Sequence, residues 1–427
     1  MSDPSTQNRH SPHWLKFAAA SLLAIALAGC GGSDGAPGAT GATGPAGPAG
    51  PAGATGPAGA DKTTGTVDAA QLGFSDLKNK ALAGKILSVD TSGNQPIVKF
   101  QVVMRDTNEG VRGLRTFALH MAQQVPEKDG SASYWMNYLA DGLPLSADPA
   151  ATAAKVNPSA DSVTSFNTDG TVKGQGYAVT DNGDGTYAVK FGANVKANTK
   201  VVYDPAMIQR VVVGVRSVAV PGVIGKTAGA YAGPMNPLTG AVIAQFTNIN
   251  GANFAFDFVP GTGAVVAAAR DIVTKAACDG CHYKLEYGFP RGNNTSGHFG
   301  SRTDTKTCVM CHTPQNTAGK GDFTTFIHKL HMGEELAKQE LMFWSTTETY
   351  NEIKYPQDQR NCTTCHKGTV PDSSSKATLK ACGACHNGVD FTKDYATGGH
   401  VGGAQANDKQ CVLCHDAATI KINHPVV

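Results

Sequence analysis

Ten of the eleven cysteines in this 427-residue chain fall into five Cys-X-X-Cys pairs, and a histidine follows every pair at once. The pairs are Cys278/Cys281, Cys308/Cys311, Cys362/Cys365, Cys382/Cys385 and Cys411/Cys414, with His282, His312, His366, His386 and His415 behind them. Cys-X-X-Cys-His is the attachment signature of c-type haem: two thiols add across the porphyrin vinyl groups, and the adjacent imidazole reaches the iron as proximal ligand. Structural zinc would not require a histidine after every second cysteine. A thioredoxin-like redox centre needs a single pair. Disulfides are common in exported chains, yet they leave the repeating histidine without a reason. The motifs therefore predict five covalently bound haems c. Such macrocycles must fill the interior of the segment that holds them, because little conventional apolar core is present after Arg270.

The other histidines match this count. Of thirteen in all, His10 and His13 lie near the N-terminus, and His120 lies in a strand-like run, where it reads as a structural residue. His298, His328, His331, His400 and His424 all fall within the motif-bearing segment and are the candidate distal ligands. An iron with both axial positions filled by protein cannot take a small substrate without losing a ligand, so the expected work is electron transfer. No Cys-X-X-Cys-Lys variant occurs, and the lysine-ligated substrate haem of pentahaem nitrite reductases has no counterpart. His328 and His331 sit in Phe326-Ile327-His328-Lys329-Leu330-His331, read as a helical turn. At this spacing they share one side of the helix. They cannot approach one iron from opposite faces, so they are expected to serve two haems and hold them close.

The N-terminus reads as an export signal over residues 1–29. Arg9 and Lys16 precede a short apolar run, Phe17 to Leu27, too short to span a bilayer comfortably. It ends in Leu27-Ala28-Gly29-Cys30, which resembles a bacterial lipobox with Cys30 as the acylated residue; a plain signal peptide is the alternative. Gly31 after it favours the outer membrane. From Gly35 to Asp61 glycine recurs every third residue through nine triplets, the period that a collagen triple helix demands. Residues 30–61 are read as an extended stalk reaching up to ~80 Å at polyproline II rise, with trimerisation as the second reading. The formal charge of +2 and the lack of a basic stripe give no reason to expect nucleic acid.

Residues 62–270 read as β structure. Strand-like runs cover Lys85 to Val89, Ile97 to Met104, Arg115 to Met121, Gln209 to Arg216 and Asn253 to Phe258. The clearest hairpin joins Tyr177–Thr180 to Thr186–Phe191 through Asp181-Asn182-Gly183-Asp184-Gly185. Its aspartates miss the positions of a calcium loop. A sandwich or barrel-like domain is expected, with a long polar excursion from about Asp141 to Gln175. A mostly coil and short-helix haem domain follows over 271–427.

Several strings resemble the OmcA/MtrC family of outer-membrane multihaem cytochromes c. They include His298-Phe299-Gly300-Ser301-Arg302 before Cys308, Phe323 through His331-Met332-Gly333, and Pro356-Gln357-Asp358-Gln359-Arg360-Asn361 before Cys362. Ala381 to His386, Gly399 to Gln405, Ser133-Tyr134-Trp135 and the Asp181 turn are similar too. The resemblance implies an antiparallel split β-barrel domain followed by a pentahaem domain, and a role in extracellular electron transfer. Typical members repeat this pair and hold ten haems, so this chain is like one half of such a protein. Implied partners are other multihaem cytochromes or an outer-membrane porin–cytochrome conduit, with extracellular metal oxides, metal chelates or flavins as acceptors. The chain reads as an electron carrier, at most a terminal metal reductase by outer-sphere transfer. Two other readings stand beside it: a multihaem reductase of a small nitrogen or sulfur compound, and a periplasmic shuttle docking a membrane complex.

Overall fold

Strand alternation in the N-terminal half produces two sheets, and one of them is covered on both faces. The computed structural model describes residues 59–69, 82–140, 158–164, 178–217, 252–267, 269–282, 290–291, 294–295, 302–368 and 376–426. The export signal, Cys30, most of the stalk, Tyr177 and His298 lie outside the described residues. Residues 53–427 form one unit, and no helix among the described residues is long and apolar enough to cross a membrane.

Among the described residues twelve strands build the β part: β1 (Thr66–Asp68), β2 (Leu82–Asp90), β3 (Ile97–Met104), β4 (Gly110–Arg112), β5 (Thr116–Val125), β6 (Tyr134–Asn137), β7 (Asp161–Thr164), β8 (Val179–Asp181), β9 (Thr186–Lys190), β10 (Gln209–Ser217), β11 (Asn253–Val259) and β12 (Ala264–Val265). The first sheet runs β1-β4-β3-β9-β8 with β2 also on β3; the second runs β12-β11-β10-β5-β6 with β7 also on β5. All five expected strand runs and the β8–β9 hairpin are present. In the turn Asp181 Oδ1 accepts from Gly183 N, Asp181 Oδ2 from Gly113 N, and Asp184 Oδ1 from Thr186 N. The aspartate oxygens thus cap backbone amides, as an Asx-type turn requires.

Two departures from expectation have simple causes. The domain is not wholly antiparallel, because β1 pairs with β4 in parallel; both strands are only three residues long, too short to carry a readable pattern. The polar excursion contains β7, antiparallel to β5. Val163 there is buried against the core, and Asp161 Oδ2 accepts from Gly192 N and Ala193 N.

Between the sheets lies one continuous core. Phe100 of β3 sits at its centre, with ring centroids 5.1 Å from Phe117, 5.5 Å from Tyr187 and 5.6 Å from Phe254. Gly84 on β2 lets Phe254 approach, since a Cβ there would meet its ring. Along β5, Phe117, Leu119 and Met121 point into this core, while Ala118, His120 and Ala122 on the opposite face are buried as well. On β10, Val211, Val213 and Val215 join the first core, and Val212 joins a second cluster with Ala122, Trp135, Ala269 and Met310. Met310 is an interior residue of the second Cys-X-X-Cys pair. The motif-bearing segment therefore packs directly on the outer face of the second sheet, giving three layers.

Candidate haem-binding segment

Each motif occupies a short helical turn that ends at its histidine. The helices are α1 (Lys275–His282), α2 (Thr305–Cys311), α3 (Phe323–Met332), α4 (Leu379–Cys385), α5 (Cys411–Cys414) and α6 (Ala417–Asn423), and a 3₁₀ turn spans Cys362–Thr364. Polar side chains start most of them: Asp304 caps α2, Asp322 α3, Thr378 α4 and Asp416 α6. In four motifs the histidine N–H donates to the carbonyl of the first cysteine, at 2.9 Å for His312, 3.0 Å for His366, 2.7 Å for His386 and 2.8 Å for His415. One helical turn thus sets both thiols and the imidazole in a fixed relation, which is what attachment and ligation by one motif require.

The histidines meet in twos. Ring centroids lie 6.1 Å apart for His282 and His331, 6.2 Å for His366 and His328, 6.0 Å for His386 and His424, and 5.9 Å for His415 and His400. Each pair joins a motif histidine to one of the non-motif histidines singled out from sequence. Two metal–imidazole bonds of about 2 Å, plus the distance from each donor nitrogen to its ring centre, put two axial rings about 6 Å apart. The spacing thus leaves room for one iron between each pair, too little for a further ligand. His328 and His331, both on α3, face different partners. His312, the fifth motif histidine, packs on Phe326 with centroids 4.3 Å apart; His298, the remaining candidate distal ligand, lies outside the described residues.

The protein encloses the ten thiols unevenly. Cys278, Cys308, Cys311, Cys365, Cys382, Cys385 and Cys411 are half-buried, whereas Cys281, Cys362 and Cys414 are exposed. The contrast is clearest in the first motif, where Cys278 is half-buried and Cys281, three residues later, is exposed. It stands on the last turn of α1 beside Gly280, around which a Cβ would meet open space, and its Sγ accepts from Gln357 Nε2 at 3.8 Å. The physical reason lies in the bond a thioether makes. A sulfur joined to the rim of a macrocycle has only to reach that rim, so protein side chains need not enclose it.

The electrostatics suit neutral imidazoles and unreactive thiols. Burial lowers the pKa of His282, His312 and His386 and pushes that of His328 down to about 4, which keeps the lone pair free for a metal. Burial raises the covered thiols, Cys278 and Cys385 to about 11 and Cys308 to about 12. A dithiol poised for exchange has a lowered pKa, so the redox-disulfide alternative fits these sites poorly. All ten described cysteines are unbridged. The donor set fits haem: paired imidazoles for the axial positions and paired thiols on an adjacent turn, with four equatorial donors left for the macrocycle.

Several residues around the segment carried no recognisable motif. His120 Nδ1 stands 3.8 Å from Cys311 Sγ. Asn137 on β6 donates through Nδ2 to Met310 O, and its own N–H donates to Gln315 Oε1 at 2.9 Å. Asp408, buried, accepts from Ser131 Oγ at 2.7 Å and from Leu379 N at 2.6 Å. These contacts tie the β6 region to the second, fourth and fifth motifs. Only the double-sided burial of β5 distinguishes such positions, and alternation alone does not reveal it.

The comparisons agree with this picture. Residues 270–425 match the model of the family described as outer membrane cytochrome MtrC/MtrF-like, domains II/IV. Multiheme cytochrome MtrC of Shewanella baltica (strain OS185) is 27% identical over 341 residues, covering 77% of this chain and 39% of the relative. The crystal structure of MtrC from Shewanella baltica OS185 superposes with a TM-score of 0.53 at 22% identity over 80% of this chain and 44% of that one. That of the outer membrane decaheme cytochrome OmcA gives 0.47 at 20% identity over 72% and 44%. The chain thus spans about two fifths of the length of the curated relative. With the Cys-X-X-Cys-His segment matched to the family model and the same relative aligned over 77% of the chain, the comparisons support an OmcA/MtrC-family multihaem cytochrome.

Proposed function

We propose that the chain carries five covalently attached haems c and passes electrons through them at the outer membrane. The supporting observation is the set of four histidine pairs at 5.9–6.2 Å, each joining a Cys-X-X-Cys-His motif to a remote histidine. Haem, when bound, supplies a reversible one-electron couple. The chain's own residues do the rest. Ten cysteines fasten the macrocycles, the exposed Cys281 among them; His282, His312, His366, His386 and His415 hold the proximal side; His331, His298, His328, His424 and His400 hold the distal side in that order. Held by two imidazoles each, the irons would be closed to substrate and would be tuned by their ligands and burial. Because α3 supplies His331 to the first haem and His328 to the third, those two cofactors are held near one another, as a conduit requires.

The remaining elements extend this reading. Cys30 is the lipid attachment point, residues 30–61 are the stalk, 62–270 the β domain and 271–427 the haem domain. The partners are other multihaem cytochromes or a porin–cytochrome conduit, and the acceptors are extracellular metal oxides, metal chelates or flavins. Mass measurement on the purified chain should give the polypeptide plus five haems. The ferrous form should leave carbon monoxide unbound, whereas ready binding would point to the small-molecule reductase reading. Protease shaving of intact cells should release the folded part, and protection would point to the periplasmic shuttle.

A further inference from the structure

One of the four histidine pairs differs from the others in two independent respects. The first is ring orientation. His328 and His366 lie near parallel, with planes 20° apart, against 50° for His400/His415, 73° for His386/His424 and 78° for His282/His331.

The second is the far nitrogen of the distal ring. His331 Nδ1 bonds Ile327 O at 2.8 Å, His424 Nδ1 bonds Ile420 O at 2.8 Å, and His400 Nδ1 bonds Gly403 O at 3.2 Å. The first two reach back one helical turn to the carbonyl four residues earlier. His328 does not reach its equivalent carbonyl, that of Thr324; its Nδ1 is buried and has no hydrogen-bond partner among the described residues.

The difference has a direction. A ligating imidazole that donates its outer N–H to a carbonyl becomes a more basic ligand, and a more basic ligand favours the ferric ion. An imidazole without that acceptor donates less charge.

We infer that the haem fastened by Cys362 and Cys365 has the highest potential of the four whose ligand pairs are described, with His328 as the positioning and tuning residue. This rests on the bis-histidine reading above. One electron converts its Fe(III) to Fe(II); both imidazoles stay bound and the His328 Nδ1 proton stays in place, so no other group changes. Among these four, it is the first to be reduced.

The test is a stepwise reductive titration of the full haem-loaded chain with dithionite, followed by electron paramagnetic resonance. Near-parallel axial rings give a rhombic low-spin ferric signal, and near-perpendicular rings give a strongly anisotropic one. The rhombic signal should be lost before the strongly anisotropic signals in the wild type. His328→Met should abolish that signal, or move its loss to still higher potential, since methionine in place of histidine raises the couple; His331→Met should leave it intact. Loss of the rhombic signal after any strongly anisotropic one overturns the inference while the bis-histidine reading stands. A high-spin ferric signal at the outset overturns both. Should His328→Met fail to accumulate, the order of loss in the wild type still decides.

Discussion

Arg210 and Asp257 face one another across β10 and β11 and form a two-pronged ion pair at 2.6 and 2.7 Å. Arg210 is 1% exposed, its guanidinium lies 4.2 Å over the Trp135 ring, and it also donates to Ala269 O at 2.9 Å. Taking both charges out of water largely cancels their attraction, so the pair is weak support for stability as a whole; removing one member strands the other, at about 3–5 kcal/mol. Asp257→Asn should therefore lower the urea midpoint strongly, read by far-ultraviolet circular dichroism. Lys85→Ala, which breaks the exposed pair with Asp61, should change stability by less than about 1 kcal/mol. An equal loss from both would refute the burial argument. Both members of the buried pair lay in strands that the sequence pattern revealed. Their opposition depends on register between strands nearly fifty positions apart, which alternation does not encode. His120 tells the same story: its strand was legible, whereas its approach to Cys311 depends on the haem segment packing over β5. Cys281 is a third case, since its motif was plain in the sequence while its exposure follows from the path of the chain around α1.

At the scale of elements, α3 is the piece on which most depends, since it holds His328 and His331. Asp322 caps its start, accepting from Thr324 N at 3.1 Å, and Gly333 ends it at φ 52°. A Cβ at Gly333 would run into the carbonyl oxygen of Ile353, a backbone atom that cannot swing aside. Gly333→Ala combines an unfavourable left-handed backbone with that clash and should destabilise by about 1–3 kcal/mol. The damage should fall first on the haems that α3 serves. Carbon monoxide binding to the ferrous variant should rise above that of the wild type while far-ultraviolet dichroism holds; unchanged exclusion would show that α3 tolerates the shift. Gly398→Ala, also at positive φ but with open space where the Cβ would go, should leave ligation intact. The sequence reads a helical turn over Phe326–His331 and expects its two histidines to serve different haems; the helix extends to Phe323–Met332. Which partners they face was not legible there: His331 meets His282 across forty-nine residues of chain, and only the folded path brings them together. Strands of three or four residues, such as β1, β4 and β7, carry too few side chains to announce themselves.

For the whole molecule, the two halves solve the problem of an interior differently. From Ala69 to Phe258 one apolar cluster runs unbroken between the sheets. After Asp271 the buried apolar side chains are Ala277, Met310, Phe326, Leu336, Met342, Tyr350, Ala377 and Ala384 among the described residues. Met310 joins the sheet, Leu336, Met342 and Tyr350 form a small cluster of their own, and the rest stand apart. Ordering each residue costs about 1–2 kcal/mol of backbone entropy, and burying a large apolar side chain returns about 1.5–3 kcal/mol. So few buried side chains among the described residues do not offset the ordering of those residues; the proposed haems would supply the missing apolar area. The chain expressed where haem attachment is blocked should then be cut by trypsin throughout the region after Arg270, while the β part resists. The same digestion of the haem-loaded protein should leave both regions intact. Equal resistance of the segment with and without haem would mean that side chains alone hold it. Uniform cleavage of both halves would instead mean that the second sheet needs the haem layer to cover the outer faces of β5 and β10. The buried Ala118, His120, Ala122 and Val212 on those faces set the expected order: the sheet edges nearest Met310 loosen first, and the core around Phe100 last.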